Sequence, residues 1–357
     1  MNFAFSSLMS SDTPEIPEKP KRRIRYSGKN PKKFSEKYKE LAPERYAQDI
    51  EKIKSRGATP VGTHRPICVD EILKILAPKP GETALDATLG YGGHTGFILP
   101  KLLPNGRLIA LDQDPIERSK TEARLRATGI PEASLVVCAA NFRDAKKTLA
   151  DLRIFKVDMI LADLGISSMQ IDDPTRGFSS KINAPLDLRM NPTTGQSAAA
   201  LLATLTAKKL AEILHDNSDE QRADVIAKAL IAKKPKTTLQ LVEVLREVMT
   251  GFSKKVQLEE GDAPIRRTFQ ALRIAVNDEF NVLDQFLKDI PDMLNPGGRV
   301  AILSFHSGED RRVKKSFQFY HRSGVYKDVA PEFIRPSPEE QRSNSRSTSA
   351  KLRWALT

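Results

Sequence analysis

Three acidic residues stand where short apolar runs end: Asp86, Asp112 and Asp163. Between the first two lies the turn Gly90-Tyr-Gly-Gly-His94, followed by an apolar stretch carrying Phe97, Ile98 and Leu102. Glycines let a backbone approach a ligand and take positive φ without a Cβ clash. A helix opening behind such a turn presents free N–H groups that suit an anionic group. An acid at Asp112, closing the next strand, can accept hydrogen bonds from both hydroxyls of a ribose. The spacing predicts a pocket for an adenosine-containing cofactor, although the turn alone would also serve as a purely structural glycine cluster.

Two cofactor classes use such a unit. A nicotinamide site wants G-x-G-x-x-G/A, and the register from Gly90 places Thr95 at the last glycine, which counts against a dinucleotide. S-adenosylmethionine (SAM) asks for an acid ahead of a looser turn and a second acid for the ribose. Asp86 and Asp112 meet those needs, so SAM is favoured.

The elements that hold these residues read as an α/β, doubly wound parallel sheet, which places ligands at the carboxyl ends of its strands. Strands are expected at Thr83 to Thr88, Arg107 to Leu111, Leu135 to Ala139, Val157 to Ala162, Arg299 to Phe305 and Lys351 to Leu356. A helix opening at His64 carries Ile67, Ile72, Leu73 and Leu76 on one face. Phe142, after the third strand, is placed to cover an adenine face. Asp163, at the end of the fourth, is placed at the reactive end. Residues 264–290 read as helical, with Phe269, Leu272, Val276, Phe280, Leu283 and Phe286 at helical spacing.

Residues 171–262 change character. Loop chemistry gives way to helical segments without an evident strand, which predicts a small helical domain inserted after the fourth strand. Ser218 to Gln221 and Thr237 to Gln240 both fit capping boxes. Val225, Ala229 and Leu230 form one apolar stripe; Leu239, Val242, Leu245 and Val248 or Met249 form another. The organisation is therefore a basic extension (1–60), a catalytic domain in two pieces (61–170 and 263–357) and the insert (171–262).

The chain has 357 residues and a formal charge of +12, a balance that favours polyanionic partners without fixing the fold. Residues 1–60 contain 14 basic and 8 acidic side chains; within this partly disordered extension 1–33 read as a disordered arm able to touch RNA phosphates, or simply as a solvated tail, and 34–57 as a charged surface helix. Two cysteines and five scattered histidines predict no disulfide and no metal site. No apolar run is long enough for a membrane span and no secretory start is evident. A cytoplasmic setting is expected, with an organelle left open.

With these motifs assembled, the chain resembles the RsmH (MraW) family of ribosomal-RNA methyltransferases. The matching blocks are His64-Arg-Pro-Ile, Asp86-Ala-Thr-Leu-Gly-Tyr-Gly-Gly-His94, Leu111-Asp-Gln-Asp-Pro115, Asp163-Leu-Gly-Ile-Ser-Ser168, Arg176-Gly-Phe-Ser179, Pro185-Leu-Asp-Leu-Arg-Met190, Arg267 to Asn277, Ser304 to Asp310 and Ser349 to Arg353. They run in order from about residue 61 to the end. The resemblance implies a class I SAM-dependent methyltransferase sheet with an inserted helical domain. It also implies action on N4 of a cytidine in the decoding centre of small-subunit (16S) rRNA, with the 30S subunit as partner and a homodimer allowed. The cofactor positions it implies are Gly92, Gly93, His94, Asp112, Phe142, Asp163 and Gln170. The chain departs from the family at Gly308, at Asn217 to Glu220 and near Thr348.

Methyl transfer from a sulfonium needs mainly alignment and desolvation, and an acceptor near N4–H helps the amine reach the methyl. Asp163 is the expected acceptor, and His306, from the neighbouring strand end, a second catalytic candidate beside the reading of it as a structural histidine. Neither Cys68 nor Cys138 sits in a Pro-Cys loop, which disfavours C5 chemistry. The readings that compete are a nicotinamide-dependent oxidoreductase and a non-catalytic RNA-binding assembly factor.

Overall fold

The computed structural model describes residues 66–357, so the basic extension and His64 and Arg65 lie outside the described residues. One seven-stranded sheet runs in the order β3-β2-β1-β4-β5-β7-β6. Its strands are β1 (Thr83–Asp86), β2 (Arg107–Leu111), β3 (Leu135–Cys138), β4 (Val157–Asp163), β5 (Leu294–Ser304), β6 (Asp328–Val329) and β7 (Lys351–Leu356). The first five pair in parallel, whereas β7 joins β5 and β6 antiparallel. This is the class I methyltransferase arrangement, with the switch point between β1 and β4.

The strands are apolar without alternation because both faces are covered. Leu108 to Leu111, Met159 to Ala162 and Val300 to Leu303 are each at most 1% exposed. One face carries α1 (Val69–Leu76) and α2 (Gly93–Leu102), and α3 (Pro115–Arg126) adds Leu125 to the same apolar layer. The other face carries α4 (Ala145–Asp151), with α12 (Glu279–Met293) and α13 (Ser307–Arg322) beside it. The expected fifth strand is longer at its start. Leu294 already pairs with Val157, and the register slips across the Pro296-Gly-Gly stretch before Arg299 pairs with Met159.

After the short α5 (Ser168–Asp172), the insert builds α6 (Ala198–Thr204), α7 (Ala207–Ser218), α8 (Ala223–Lys233), α9 (Thr238–Thr250) and α10 (Lys254–Glu260). The Thr237 capping box is present, with Gln240 as its reciprocal partner. Ser218 instead closes α7, its hydroxyl donating to the Leu214 carbonyl at 2.8 Å, because Asp219 turns left-handed there. The α8 stripe is Ala223, Ile226, Ala227 and Leu230, while Val225 is 49% exposed.

The helical stretch expected over 264–290 is built as two helices, α11 (Ala263–Asn277) and α12, broken at Asp278 with φ 52°. The break lets them face different cores. Ile265, Phe269 and Leu272 of α11 pack into the helical insert, whereas Leu283, Phe286 and Leu287 of α12 pack on the sheet. The segment ahead of β7 holds one further helix, α14 (Pro338–Ser343), and a 3-10 turn at Ser345–Ser349.

Candidate active site

A cavity of about 750 Å³ opens at the carboxyl ends of β1, β2 and β4, the place a doubly wound sheet reserves for ligands. Asp112, Gly93, His94, Phe142, Asp163 and Gln170 all line it. The sheet thus gathers residues that are up to 77 positions apart in the chain.

Asp112 and the glycine turn are joined directly. The Gly90 N–H donates to Asp112 Oδ2 at 2.8 Å, and the Asp114 N–H donates to Oδ1 at 2.8 Å. Each oxygen keeps acceptor capacity, which is what a ribose diol asks for. Burial raises the Asp112 carboxyl to about 6 against the pull of those two donors.

The two adjacent glycines do different work. A Cβ on Gly93 would stand 2.4 Å from Pro66 Cγ, so that glycine lets Pro66 close over the turn. Gly92, with φ +71°, faces α3 rather than the cavity; a Cβ there would meet Thr121 Cγ2 at 2.8 Å. Thr95, where a dinucleotide fold wants glycine, donates its hydroxyl to Asp86 Oδ2 at 2.6 Å. Asp86 is 3% exposed and also accepts from the Thr88 N–H. It therefore clamps the turn from behind.

His94 Nε2 lies 3.0 Å from the Ile67 carbonyl. A carbonyl can only accept, so Nε2 carries the proton and Nδ1 faces Asp163 Oδ2 at 3.7 Å. Asp163 donates its own N–H to Thr88 Oγ1 at 2.6 Å, and its Oδ1 is shielded from water with no donor. Burial raises Asp163 to about 6, with His94 opposing and Asp86 and Glu309 adding to the rise. Phe142 meets Phe286 edge-on at 5.2 Å between ring centroids, which fixes its ring at the cavity wall. Gln170 Oε1 accepts from the Ser167 N–H and its Nε2 donates to Asp114 Oδ2, so it positions the wall as well as lining it.

His306 is not brought to this cavity. Its Nδ1 caps α13 by accepting from the Glu309 N–H at 3.4 Å, and its Nε2 sits 3.2 Å from Glu309 Oε1. Phe280 packs on the ring at 5.8 Å, and a Cβ on Gly308 would strike Phe280 Cζ at 2.6 Å. The glycine at 308 is thus explained by Phe280. Among the described residues, Glu279, His306 and Glu309 bring ligand atoms within 4.8 Å of one another. Arg273 already pairs both oxygens of Glu279, at 2.7 and 2.9 Å, and supplies the positive charge there. Neither cysteine lines the cavity.

The residues present fit SAM. Asp112 offers acceptors to a ribose, Phe142 a ring face to an adenine, and Asp163, its side chain 32% exposed, a carboxylate at the reactive end. The MraW methylase family model matches residues 62–357. The chain belongs to the MraW methylase family. It is 49% identical over 344 residues to "Ribosomal RNA small subunit methyltransferase H 2" of Alkaliphilus metalliredigens, covering 95% of this chain and 98% of the relative. It is 49% identical over 341 residues to "Ribosomal RNA small subunit methyltransferase H 1" of Lachnoclostridium phytofermentans, covering 94% and 93%. A namesake from Halorhodospira halophila is 43% identical over 275 residues, covering 75% of this chain and 81% of its own length. An alignment of 344 residues is too long to fit within 61–357, so that relative shares part of the basic extension.

As an MraW methylase the chain uses SAM, and its site holds residues that the sequence reading did not single out. Asp114 is fully buried, caps α3 through the Ile116 and Glu117 N–H groups, and accepts from Arg176 Nη1 at 2.7 Å. Arg176 Nη2 reaches the Met190 carbonyl at 2.7 Å. Asn277 then grips the same strap, donating to the Leu188 carbonyl and accepting from the Met190 N–H. Each lies in a block that carried the resemblance, but block membership does not say which side chains meet.

Proposed function

We propose that this chain transfers the methyl group of SAM to N4 of a cytidine in the decoding centre of 16S rRNA, meeting it in the 30S subunit. The relatives' names supply the small-subunit rRNA, and the +12 charge suits a polyanion. The helical insert is the part that recognises the substrate. The observation that carries the chemistry is Asp163: a carboxylate at the end of β4 that lines the cavity and is 32% exposed there, with His94 at 3.7 Å.

Bound here, SAM supplies an electrophilic methyl on a sulfonium whose departure leaves a neutral thioether. Asp112 accepts the ribose hydroxyls and so fixes the depth of the cofactor. Asp163 accepts a hydrogen bond from N4–H of the flipped cytosine, which turns the amine lone pair toward the methyl. As the N–C bond forms, the N4 proton passes to Asp163. A carboxyl held at about 6 is largely ionised at neutral pH yet close enough to it to take a proton in the transition state. His94 Nδ1 faces that carboxylate and can share the proton. Extruding a base into a pocket is the general requirement for chemistry on a stacked nucleotide.

The test is mass mapping of nucleosides in 30S rRNA treated with SAM and the protein. N4-methylcytidine in the decoding centre is expected with the wild type and absent with Asp163→Ala. A product at another atom or in another RNA sinks the reading.

A further inference from the structure

The cavity wall extends beyond Asp112, Phe142 and Asp163. Pro66, Ile67, Ile166 and Phe305 add apolar wall, and the turn Ser345–Ser349 closes the side nearest β7 with Arg346. That turn is held firmly. Ser347 is fully buried and donates its hydroxyl to the Asn344 carbonyl at 2.7 Å. Asn344 Oδ1 accepts from the Arg346 N–H, and Arg335 reaches the Thr348 carbonyl at 3.2 Å.

Arg346 is pinned but only partly used. Its Nη2 donates to Asp172 Oδ1 at 2.7 Å, at the end of the helix whose Ser168, Gln170 and Ile171 line the same cavity. Its Nη1 is shielded from water and has no acceptor. A guanidinium is a planar fork of five donors, so Asp172 fixes its plane and leaves donors spare. The side chain as a whole is 30% exposed and lines the cavity, so part of the guanidinium stem and head is open to a ligand acceptor.

We propose that Arg346 and its turn form the subsite for the phosphate of the nucleotide that is methylated, holding it while the base lies between the apolar wall and Asp163. The inference rests on the reading that the acceptor is an RNA nucleotide. The anchored guanidinium matches phosphate geometry, and apolar wall beside it suits a flipped base. Arg346 is a binding residue placed by the far end of the chain, about 180 positions from Asp163.

The test compares wild type, Arg346→Ala and Arg346→Lys in three measurements. Calorimetry gives the Kd of SAM, expected to be unchanged in both variants. Steady-state kinetics on 30S subunits should show KM raised about tenfold or more in Arg346→Ala, with part of the loss recovered in Arg346→Lys. The slope of log KM against log salt should fall by about 0.7, the share of one single-strand phosphate contact. Titration of cytidine 5′-monophosphate and of cytidine into the enzyme saturated with S-adenosylhomocysteine should show a phosphate-dependent gain in the wild type that Arg346→Ala removes. Weakened SAM binding with unaltered KM would make Arg346 a cofactor ligand and overturn the proposal. Equal affinity for nucleotide and nucleoside in the wild type, or no binding of either, would do the same. Should the wild type leave 30S rRNA unmethylated, the proposed function fails, while the nucleotide titration still decides the subsite.

Discussion

Arg176 Nη1 lies 2.7 Å from Asp114 Oδ2, with the two side chains 5% and 1% exposed. This buried pair ties the base of the helical insert to the acid next to Asp112. Asp114 hands its own N–H to Asp112, and Arg176 holds the Met190 strap against Gln113, whose amide meets Met190 Sδ at 3.3 Å. Removing one partner strands the other as a buried charge, which costs about 3–5 kcal/mol. Arg176→Met should lower the urea midpoint accordingly and weaken SAM binding. Asp114→Asn should be milder, because it still caps α3. Urea unfolding followed by calorimetry with SAM checks both.

Cofactor affinity should depend on pH. Asp112 sits at about 6 in the folded, cofactor-free protein, above the ordinary aspartate value of about 3.9. Folding therefore favours its protonated form, and the cofactor-free protein should lose stability as pH rises from about 4 to about 6. A ribose diol needs the ionised acid, so binding must expel the proton below that value. The Kd of SAM should rise about fivefold from pH 6 to pH 5 and level off above pH 7. Asp112→Asn should bind weakly without its share of that slope. A flat Kd for the wild type over this range would remove Asp112 from the site.

Asp163 should govern the rate. Asp163→Asn keeps the shape of the side chain but cannot take the N4 proton, so kcat should fall about a hundredfold or more. In the wild type, kcat should decline below about pH 6, where Asp163 gains its proton. Single-turnover rates against pH on 30S subunits check this.

His306 should act on stability alone. His306→Ala loses the α13 cap, a change that costs roughly 1 kcal/mol, and leaves the buried Glu309 without its close neighbour. The melting temperature should drop while kcat at saturating RNA stays unchanged. A large loss of kcat at full folding would return His306 to the chemistry.

The glycine turn is sensitive to single atoms. Gly93→Ala forces a Cβ into Pro66 and should cost about 1–3 kcal/mol by overpacking. SAM affinity should fall with it, since Pro66 and Gly93 share the cavity wall. Gly92→Ala should destabilise through Thr121 and the left-handed backbone. Thermal melts with and without SAM separate the two.

The sequence by itself determined the sheet, the glycine turn and the three acids, because buried parallel strands are unbroken apolar runs and a strand's end is marked by the first polar residue after it. It also marked 171–262 as a stretch where strand patterning stops, and the structure holds helices and no named strand there. It could not place His306, since a histidine at that strand end suits a helix cap or a reaction equally well, and only the tertiary structure puts it at the start of α13 against Phe280 and off the cavity wall. It did not show that α11 breaks from α12 at Asp278, because one helical periodicity runs through both. Tertiary structure alone decided that Thr95 meets Asp86, that Arg176 meets Asp114 and that Arg346 closes the cavity. These contacts depend on side-chain directions across segments that local spacing does not connect, and the sheet order is what brings them within hydrogen-bond reach.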